Sequence, residues 1–415
     1  MQTITFTNVR IFDGSGAPMF DGQVRVTKNR IEQVAQAAQA SIAKEGDQII
    51  DGKGATLMPG LVEAHAHLSW PTSVERFVPG MSLPIEELVL GTARNARILL
   101  DHGYTSAYSA GSLSKLIEAA LHRHIEDGGL PGPRLVPSSI EREPPSPEAL
   151  STGQVEDHGN GPEAIREFVK ECARIGAKSV KFLLSGQDTL VPGTSQQLLY
   201  TEEEARAAGE QARESDVWLC AHAQAAEAVK MAARNGFRVI YHCSFADEEA
   251  LDMLEARRDN IFMAPAVGMM QALVDATPFG NVDLGQMKRF AAETIERQQK
   301  LVPELKRRGV RVLPGGDYGF PYNPTGRNAW DLELFVRLFG YTPAETLHAA
   351  TALGGQIMGM GDELGLIKPG YLADILLVNG DPTQDITLLQ DRQRLLAIMK
   401  DGRFHKAPAA SCVTA

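Results

Sequence analysis

The segment at residues 161–186, GPEAIREFVKECARIGAKSVKFLLSG, decides the fold class, because a helical pattern leads directly into a short apolar strand. Helix-then-strand units recur downstream as TEEEARAAGEQARES and VWLCAHA, AAEAVKMAARNG and RVIYHCS, and DEEALDMLEARR and IFMAPAV. Two predicted capping boxes, Thr201 with Glu204 and Thr342 with Glu345, mark the starts of helices. Strands and helices that alternate at this spacing are typical of a parallel α/β sheet.

We expect this sheet to close into a (β/α)8 TIM barrel rather than to stay open and doubly wound. No glycine-rich dinucleotide fingerprint follows an early strand. Polar residues recur at the carboxyl ends of several strands, which is where the active face of a barrel lies.

Both ends of the chain have strand patterns, TITFTNVRIF near the start and ADILLVNGDP and LLAIMK near the end. Neither end alone is long enough to form a stable core. We therefore predict a small β-sandwich domain built from residues 1–59 and 368–406, a catalytic barrel at 60–367 and a C-terminal tail at 407–415.

The amino-acid composition indicates which classes of binding partner the protein has. The net charge is −11, and the sequence contains no run of basic residues, so we expect neither a nucleic-acid nor a membrane partner. The four cysteines are far apart and form no CxxC pair, and no apolar run has the length of a membrane span. These features favour a cytoplasmic enzyme with reduced thiols and a small-molecule substrate. We also expect a homo-oligomer.

The stretch LMPGLVEAHAHLSW carries the strongest chemical signal. Alternate side chains of a strand share one face, so His65 and His67 can hold one divalent cation. Such a pair on its own more often packs or faces solvent. However, His222 and His242 also end apolar strands, one helix apart, and together the four histidines favour a metal site.

Two further residues extend this candidate site. Asp317 follows two glycines at the end of a late strand, where it can cap a turn or bind a metal and exchange protons with water. Lys181 lies in an otherwise apolar strand, where an unpaired ammonium is unfavourable. Either its side chain reaches the rim of the barrel, or CO2 has carboxylated the amine, giving an anionic ligand that bridges two metals.

Taken in chain order, these residues resemble the amidohydrolase superfamily. The flanking segments are similar as well: MPGLVEAHAH, GPRL, AVKMAARNG between two histidines, ATALGGQIMG and LGLIKPGYLADILLV. The sequence is most similar to the binuclear branch of prolidase-like and aryl-amide hydrolases, including those of ochratoxin, phenylurea and thiocarbamate type. Two segments depart from this pattern. The usual GGHG stretch appears as EDHGNG, and Cys243 replaces the glycine that commonly follows the later histidine.

The resemblance implies a binuclear centre. His65, His67 and Asp317 would hold one ion, and His222 and His242 would hold the second. Carboxylated Lys181 would bridge the two ions, which are zinc by default, with cobalt, manganese or iron(II) as alternatives. A hydroxide between the ions would attack the carbonyl of an amide, carbamate or urea, and Asp317 would pass the proton to the leaving nitrogen.

Three alternatives remain on the same fold. A mononuclear deaminase would normally show HxxE at the strand-five histidine, whereas AQAAE follows His222 and Lys181 would be unexplained. A cyclic-amide hydrolase is a related possibility. A non-catalytic scaffold would have lost ligands, and all six are present. Residues on predicted strand-end loops are candidates for substrate binding: Tyr108, His158, Tyr318, Tyr322 and Arg327.

Overall fold

The computed structural model describes residues 3–71, 83–144, 159–188, 193–277 and 284–414. Its strands, in chain order, are β1 Thr3–Ile11, β2 Phe20–Thr27, β3 Arg30–Gln36, β4 Gln48–Asp51, β5 Thr56–Pro59, β6 Leu61–Ala66, β7 Tyr104–Ser109, β8 Arg134–Val136, β9 Ser179–Leu183, β10 Trp218–Ala225, β11 Val239–Phe245, β12 Phe262–Ala264, β13 Arg311–Val312, β14 Ile375–Val378, β15 Leu395–Lys400, β16 Arg403–Lys406 and β17 Val413–Thr414.

The α-helices are α1 Ile85–Asp101, α2 Ile117–Glu126, α3 Pro162–Arg174, α4 Glu202–Glu214, α5 Ala226–Arg234, α6 Glu248–Ala256, α7 Val267–Asp275, α8 Gly285–Arg307, α9 Trp330–Phe339, α10 Pro343–His348 and α11 Gly354–Ile357. A π-helical turn at Ala349–Leu353 joins the last two. Both predicted capping boxes are confirmed, since Thr201 caps α4 with Glu204 and Thr342 caps α10 with Glu345.

The alternating middle of the chain forms two parallel sheets. One contains β6, β7 and β8, and the other runs from β9 to β13 with every neighbouring pair parallel. A parallel bridge between Ser138 and Ser179 links the residues after β8 to the first residue of β9. The predicted parallel α/β architecture is therefore confirmed, and its strands follow one another in chain order.

Strands from both chain ends share one nine-stranded sheet. Its main path runs β16-β15-β14-β5-β1-β2-β3, and β4 pairs with β1 and β17. The C-terminal residues that were predicted to be a tail thus contribute strand β17. The core of this sheet is apolar, with Phe6, Ile11 and Leu57 almost fully buried.

A one-residue link connects this sheet to β6. Gly60 lies between β5 and β6, and its N–H donates to the Asp374 carbonyl at 2.9 Å. A Cβ at Gly60 would lie 2.1 Å from Thr105 Oγ1, so only glycine fits here without a shift in β7. This link aims β6, and the histidines at its end, into the middle of the parallel strands. No helix in the described part of the chain combines the length and apolar character needed to cross a membrane.

Candidate metal centre

Six polar side chains meet at the carboxyl ends of the parallel strands, and all six are buried: His65, His67, Lys181, His222, His242 and Asp317. Asp317 Oδ1 lies 3.2 Å from His67 Nε2 and 3.8 Å from His65 Nε2. The rings of His222 and His242 are 4.4 Å apart, and those of His65 and His242 are 5.5 Å apart. Ligand atoms of His65, His242 and Asp317 all lie within 4.8 Å of one another.

The histidines carry nitrogen atoms that the protein does not satisfy. Neither ring nitrogen of His65 makes a hydrogen bond to any described residue, and neither does Nδ1 of His242. Burial and the charge of Lys181 hold the pKa of His65 well below its usual range, and burial lowers the pKa of His222 to about 3. Neutral imidazoles with free lone pairs are the form that binds metals, so this donor set fits divalent ions.

Asp317 interacts more strongly with His67 than with His65. Burial alone would lower the pKa of His67, but the hydrogen bond and negative charge of Asp317 outweigh burial and raise it. In a protein without metal, a proton shared between these two groups would take the place of a cation. A metal ion that bound here would displace this proton.

The backbone is in an uncommon conformation at two of the predicted ligands. His242, Cys243 and Asp317 have φ angles of 73°, 53° and 58°, in the left-handed region that non-glycine residues rarely occupy. Asn323 Nδ2 donates to the carbonyls of Gly316 and Asp317, at 2.9 and 3.1 Å, and so holds the turn that presents Asp317. Backbone strain of this kind concentrates at functional sites.

Lys181 lies in the middle of β9 and is only 2% exposed. Its Nζ donates to the Ala110 carbonyl at 3.1 Å and lies 4.5 Å from the centre of the Tyr241 ring. Within the described ranges, no carboxylate lies within ion-pair distance of this ammonium. The lysine therefore points into the cluster instead of reaching the rim.

Tyr241 forms the floor of the cluster. Its ring stacks on His65 with the centres 3.8 Å apart, and its hydroxyl donates to the Ala64 carbonyl at 2.9 Å. The side chain thus crosses from β11 to β6 and contacts two predicted ligands, His65 and Lys181.

A second layer of acidic groups surrounds the histidines. Glu63 accepts hydrogen bonds from the His65 N–H at 3.0 Å and from Asn328 Nδ2 at 2.7 Å. Burial nevertheless raises the pKa of Glu63 to about 8. Glu141 Oε1 lies 3.5 Å from His67 Nδ1, which is also 3.0 Å from the Gly111 carbonyl.

The predicted substrate residues are scattered. Tyr108 is fully buried and stacks on Trp218 within the apolar core cluster that also contains Tyr241. Tyr318 packs against Gly316 and lies close to Asp331, and the Tyr322 ring stacks on Phe320. Arg327 is exposed and stacks on Trp330. His158 lies outside the described residues.

Sequence analysis missed three residues beside the cluster: Trp70, Glu141 and Tyr241. Trp70 lies 4.3 Å, ring to ring, from His67 and 4.6 Å from Phe320, so it extends the wall of the site outward. Its position three residues after His67 was a usable signal. Tyr241 and Glu141 had no comparable signal, because their roles depend on contacts between distant strands.

The fold is a parallel α/β architecture that carries a buried cluster of four histidines, a lysine and an aspartate at one end of its strands. A model of the amidohydrolase family matches residues 56–404, and the chain therefore belongs to that family. It is accordingly an enzyme that acts on carbon–nitrogen bonds.

The relatives agree with this assignment. The chain is 24% identical to ochratoxinase of Aspergillus niger over 378 residues, covering 85% of this chain and 76% of the relative. It is 23% identical to imidazolonepropionase of Rubrobacter xylanophilus over 391 residues, covering 86% and 83%. The structure of a Xaa-Pro dipeptidase with methionine in its active site has a TM-score of 0.86 at 22% identity, covering 98% of this chain and 100% of that one. At this identity the structural likeness shows the shared fold.

Proposed function

We propose that this protein hydrolyses an amide-type carbon–nitrogen bond at a centre of two divalent ions. The substrate would be a dipeptide or N-acyl amino acid, an aryl amide, a carbamate or a urea. His65, His67 and Asp317 would hold one ion, His222 and His242 the other, and carboxylated Lys181 would bridge them. Zinc suits these ligands, and cobalt, manganese and iron(II) are accepted by the same set.

The observation that carries the proposal is the convergence of six buried ligand-type side chains at one end of the parallel strands. Buried histidines usually find hydrogen-bond partners, because an unsatisfied buried polar atom is costly. The free nitrogens of His65 and His242 break this rule, and a bound cation would supply the missing interaction.

The carbamate on Lys181 follows from charge. An ammonium beside two cations would be repelled by both and is poorly solvated at 2% exposure. After the ammonium loses a proton, the neutral amine can add to CO2 and release a second proton, which gives a carbamate anion whose two oxygens would serve one ion each. The Nζ atom lies 4.5 Å from the centre of the Tyr241 ring.

In the proposed reaction, bound ions would polarise the scissile carbonyl and lower the pKa of the attacking water. Asp317 Oδ1, between His65 and His67, takes the proton from that water. The same oxygen then donates the proton to the leaving nitrogen, so that an amine and a carboxylate are released. Trp70 and Phe320 form an apolar wall that limits water beside His67.

We also propose that the two parallel sheets are parts of one closed barrel beside a β-sandwich domain built from residues 1–59 and 368–406, to which residues 407–415 add strand β17. Eight parallel strands follow in order from β6 to β13. Gly315, just after β13, is so close to β6 that a Cβ there would lie 3.1 Å from the His65 nitrogen. This contact supports closure of the last strand against the first.

A mononuclear deaminase is the second candidate. The observation in its favour is that His65, His242 and Asp317 alone can surround one ion within 4.8 Å. This set leaves Lys181, His222 and His67 without a role, so the binuclear arrangement accounts for more of the cluster.

Metal analysis of Lys181→Ala tests the proposal. We expect the wild-type protein, reconstituted with zinc, to hold two ions per chain and the variant to lose metal and activity together. Adding a short carboxylic acid with metal should restore part of the activity by replacing the bridge. Lys178→Ala is the matched control, since Lys178 lies just before β9 and pairs with Asp216 at the surface.

Wild-type metal content and rate in Lys181→Ala would overturn the bridging role. One ion per chain at full activity would favour the deaminase. The substrate class should be assigned with the reconstituted enzyme and a panel of dipeptides, N-acyl amino acids, aryl amides, carbamates and ureas.

A further inference from the structure

Glu141 is a buried carboxylate at the predicted centre that the proposed reaction leaves unused. It is 9% exposed, and among the described residues no hydrogen bond reaches either of its oxygens. The nearest charged group is His67, whose Nδ1 lies 3.5 Å from Oε1. A buried carboxylate whose close partner is one imidazole at 3.5 Å keeps hydrogen-bonding capacity on both oxygens, so it can accept a further donor.

The fold holds this carboxylate in place. Residues 138–142 run parallel to β7 and β9, with bridges from Ile140 to Ser112 and from Arg142 to Phe182. Gly111 leaves the space that the side chain fills, because a Cβ there would lie 2.3 Å from Glu141 Cγ. Glu141 is therefore directed toward His67 by the path of the strand.

The neighbouring groups already have other partners. The Nδ1 of His67 is closer to the Gly111 carbonyl, at 3.0 Å, than to Glu141. The Arg142 guanidinium lies on the other side of the extended segment, where it donates to the Tyr200 hydroxyl and the Gly159 carbonyl. His67 is therefore an ion-pair partner of Glu141 without a hydrogen bond, and Lys181 adds a more distant positive charge, so the Glu141 oxygens can still accept a further donor.

We infer that Glu141 binds a protonated amine of the substrate, next to the carbonyl that is cleaved. This inference rests on the proposed amide hydrolysis and narrows it to substrates with a free amino group, such as unblocked aminoacyl amides. The amine of such a compound has a pKa near 7.7–8.0 and is mostly charged at pH 7. Glu141 lies on the Nδ1 side of His67, whereas Nε2 faces Asp317, so an ammonium bound to Glu141 would lie across the imidazole from Asp317.

Equilibrium binding tests the inference without requiring turnover. The probes are leucinamide and its α-hydroxy analogue, which is similar in size but uncharged, titrated calorimetrically at about pH 7 with and without zinc. The wild-type protein should bind leucinamide about 10- to 100-fold more tightly than the analogue, the usual range for a charge-assisted hydrogen bond.

The variant Glu141→Gln should lose this preference, to within about threefold, while keeping its metal content. Glu126→Gln, at an exposed position of α2, removes the same charge elsewhere and should keep the preference. Glu141→Asp retains the charge but withdraws it, and should bind with intermediate preference. The wild-type comparison stands even if a variant fails to fold.

An unchanged preference in Glu141→Gln, or none in the wild type, would overturn the inference. Loss of metal in Glu141→Gln would overturn it as well, because Glu141 would then act on the centre instead of the substrate. The metal content of the wild type is measured separately, so failure of the proposed centre is distinguished from failure of this inference.

Discussion

Asp317 shows how much of the site depends on single residues. Its backbone is left-handed, its carboxylate is 7% exposed, and Oδ1 lies between two histidines. The side-chain amide of Asn323 donates a hydrogen bond to the backbone carbonyl of Asp317 at 3.1 Å. A side chain held this firmly meets the geometric demand on a group that carries a proton between two reacting atoms.

Asp317→Asn should lower kcat/KM by about 10²- to 10⁴-fold, because an amide cannot take up and release the proton. The fold should persist, since asparagine tolerates a left-handed backbone. Steady-state kinetics on the best substrate, with circular dichroism and metal analysis, would measure this. A loss below about tenfold would mean that another group carries the proton.

Tyr241 can be tested with a pair of variants. Tyr241→Leu removes the ring that stacks on His65 and lies under Lys181, so metal affinity should fall by about 10- to 100-fold. Tyr241→Phe keeps the ring and loses only the hydrogen bond to Ala64, so its affinity should fall less. Zinc titration against a chelator would rank the two. Equal affinities in both variants would contradict an orienting role for the ring.

At the scale of helices and strands, the sequence pattern predicted the features that depend on contacts between residues close in the chain. The helices at 202–214 and 343–348 begin at the predicted capping boxes, since capping is a contact between residues three apart. The four histidines and Asp317 were predicted as ligands because they lie where apolar strands end in the sequence pattern, and Lys181 because it is a charged residue within an apolar strand. Tyr241 and Glu141 were not predicted as parts of the site. Tyr241 joins β11 to β6, and Glu141 joins the residues after β8 to those after β6. No local sequence pattern encodes contacts between residues so far apart in the chain.

Asp47 is the corresponding case in the nine-stranded sheet. Its carboxylate accepts three hydrogen bonds: from Arg25 Nε of β2 at 2.8 Å, from Thr5 Oγ1 of β1 at 2.7 Å and from the Lys44 N–H at 3.0 Å. The hydrogen bonds from Arg25, the strongest influence, hold the pKa of Asp47 well below its usual range. One buried anion thus ties two strands to the turn before β4.

Asp47→Asn should reduce the free energy of unfolding at pH 7 by about 1–3 kcal/mol, because Arg25 loses its hydrogen bonds to the carboxylate and keeps Glu32 as an ion-pair partner. The folded pKa lies below the unfolded value, so this contribution is complete above about pH 4 and is lost as the pH falls further. The difference between wild type and variant in urea unfolding should therefore shrink in acid. Asp21→Asn, at an exposed position of β2, is the control, and a pH-independent difference would refute the assignment.

For the whole molecule, the nine-stranded sheet and the parallel strands are joined by charged contacts as well as by Gly60. Arg134 of β8 binds Asp401 at 2.6 Å and Asp374 at 3.5 Å, and His405 of β16 binds Asp101 at 2.6 Å. These contacts lie at the amino-terminal side of the parallel strands, whereas the predicted ligands lie at their carboxyl ends. Ions bound at the cluster would therefore stabilise the carboxyl ends of the parallel strands, which the charged contacts with the nine-stranded sheet do not reach.

The dependence of the free energy of unfolding on metal concentration should then reveal how many ions bind. An ion that binds only the folded protein adds RT ln(1 + [L]/Kd), so well above Kd each tenfold rise in free metal adds about 1.4 kcal/mol per ion. Two ions predict a slope of about 2.7 kcal/mol per decade in the free energy of unfolding, and one ion predicts half of that. Urea unfolding in zinc buffers of increasing free concentration would measure the slope. Lys181→Ala, without the bridge, should have a slope of one ion or less, while Lys178→Ala should match the wild type. A wild-type slope near 1.4 kcal/mol would refute the binuclear centre, and a flat response would refute metal binding at this cluster altogether.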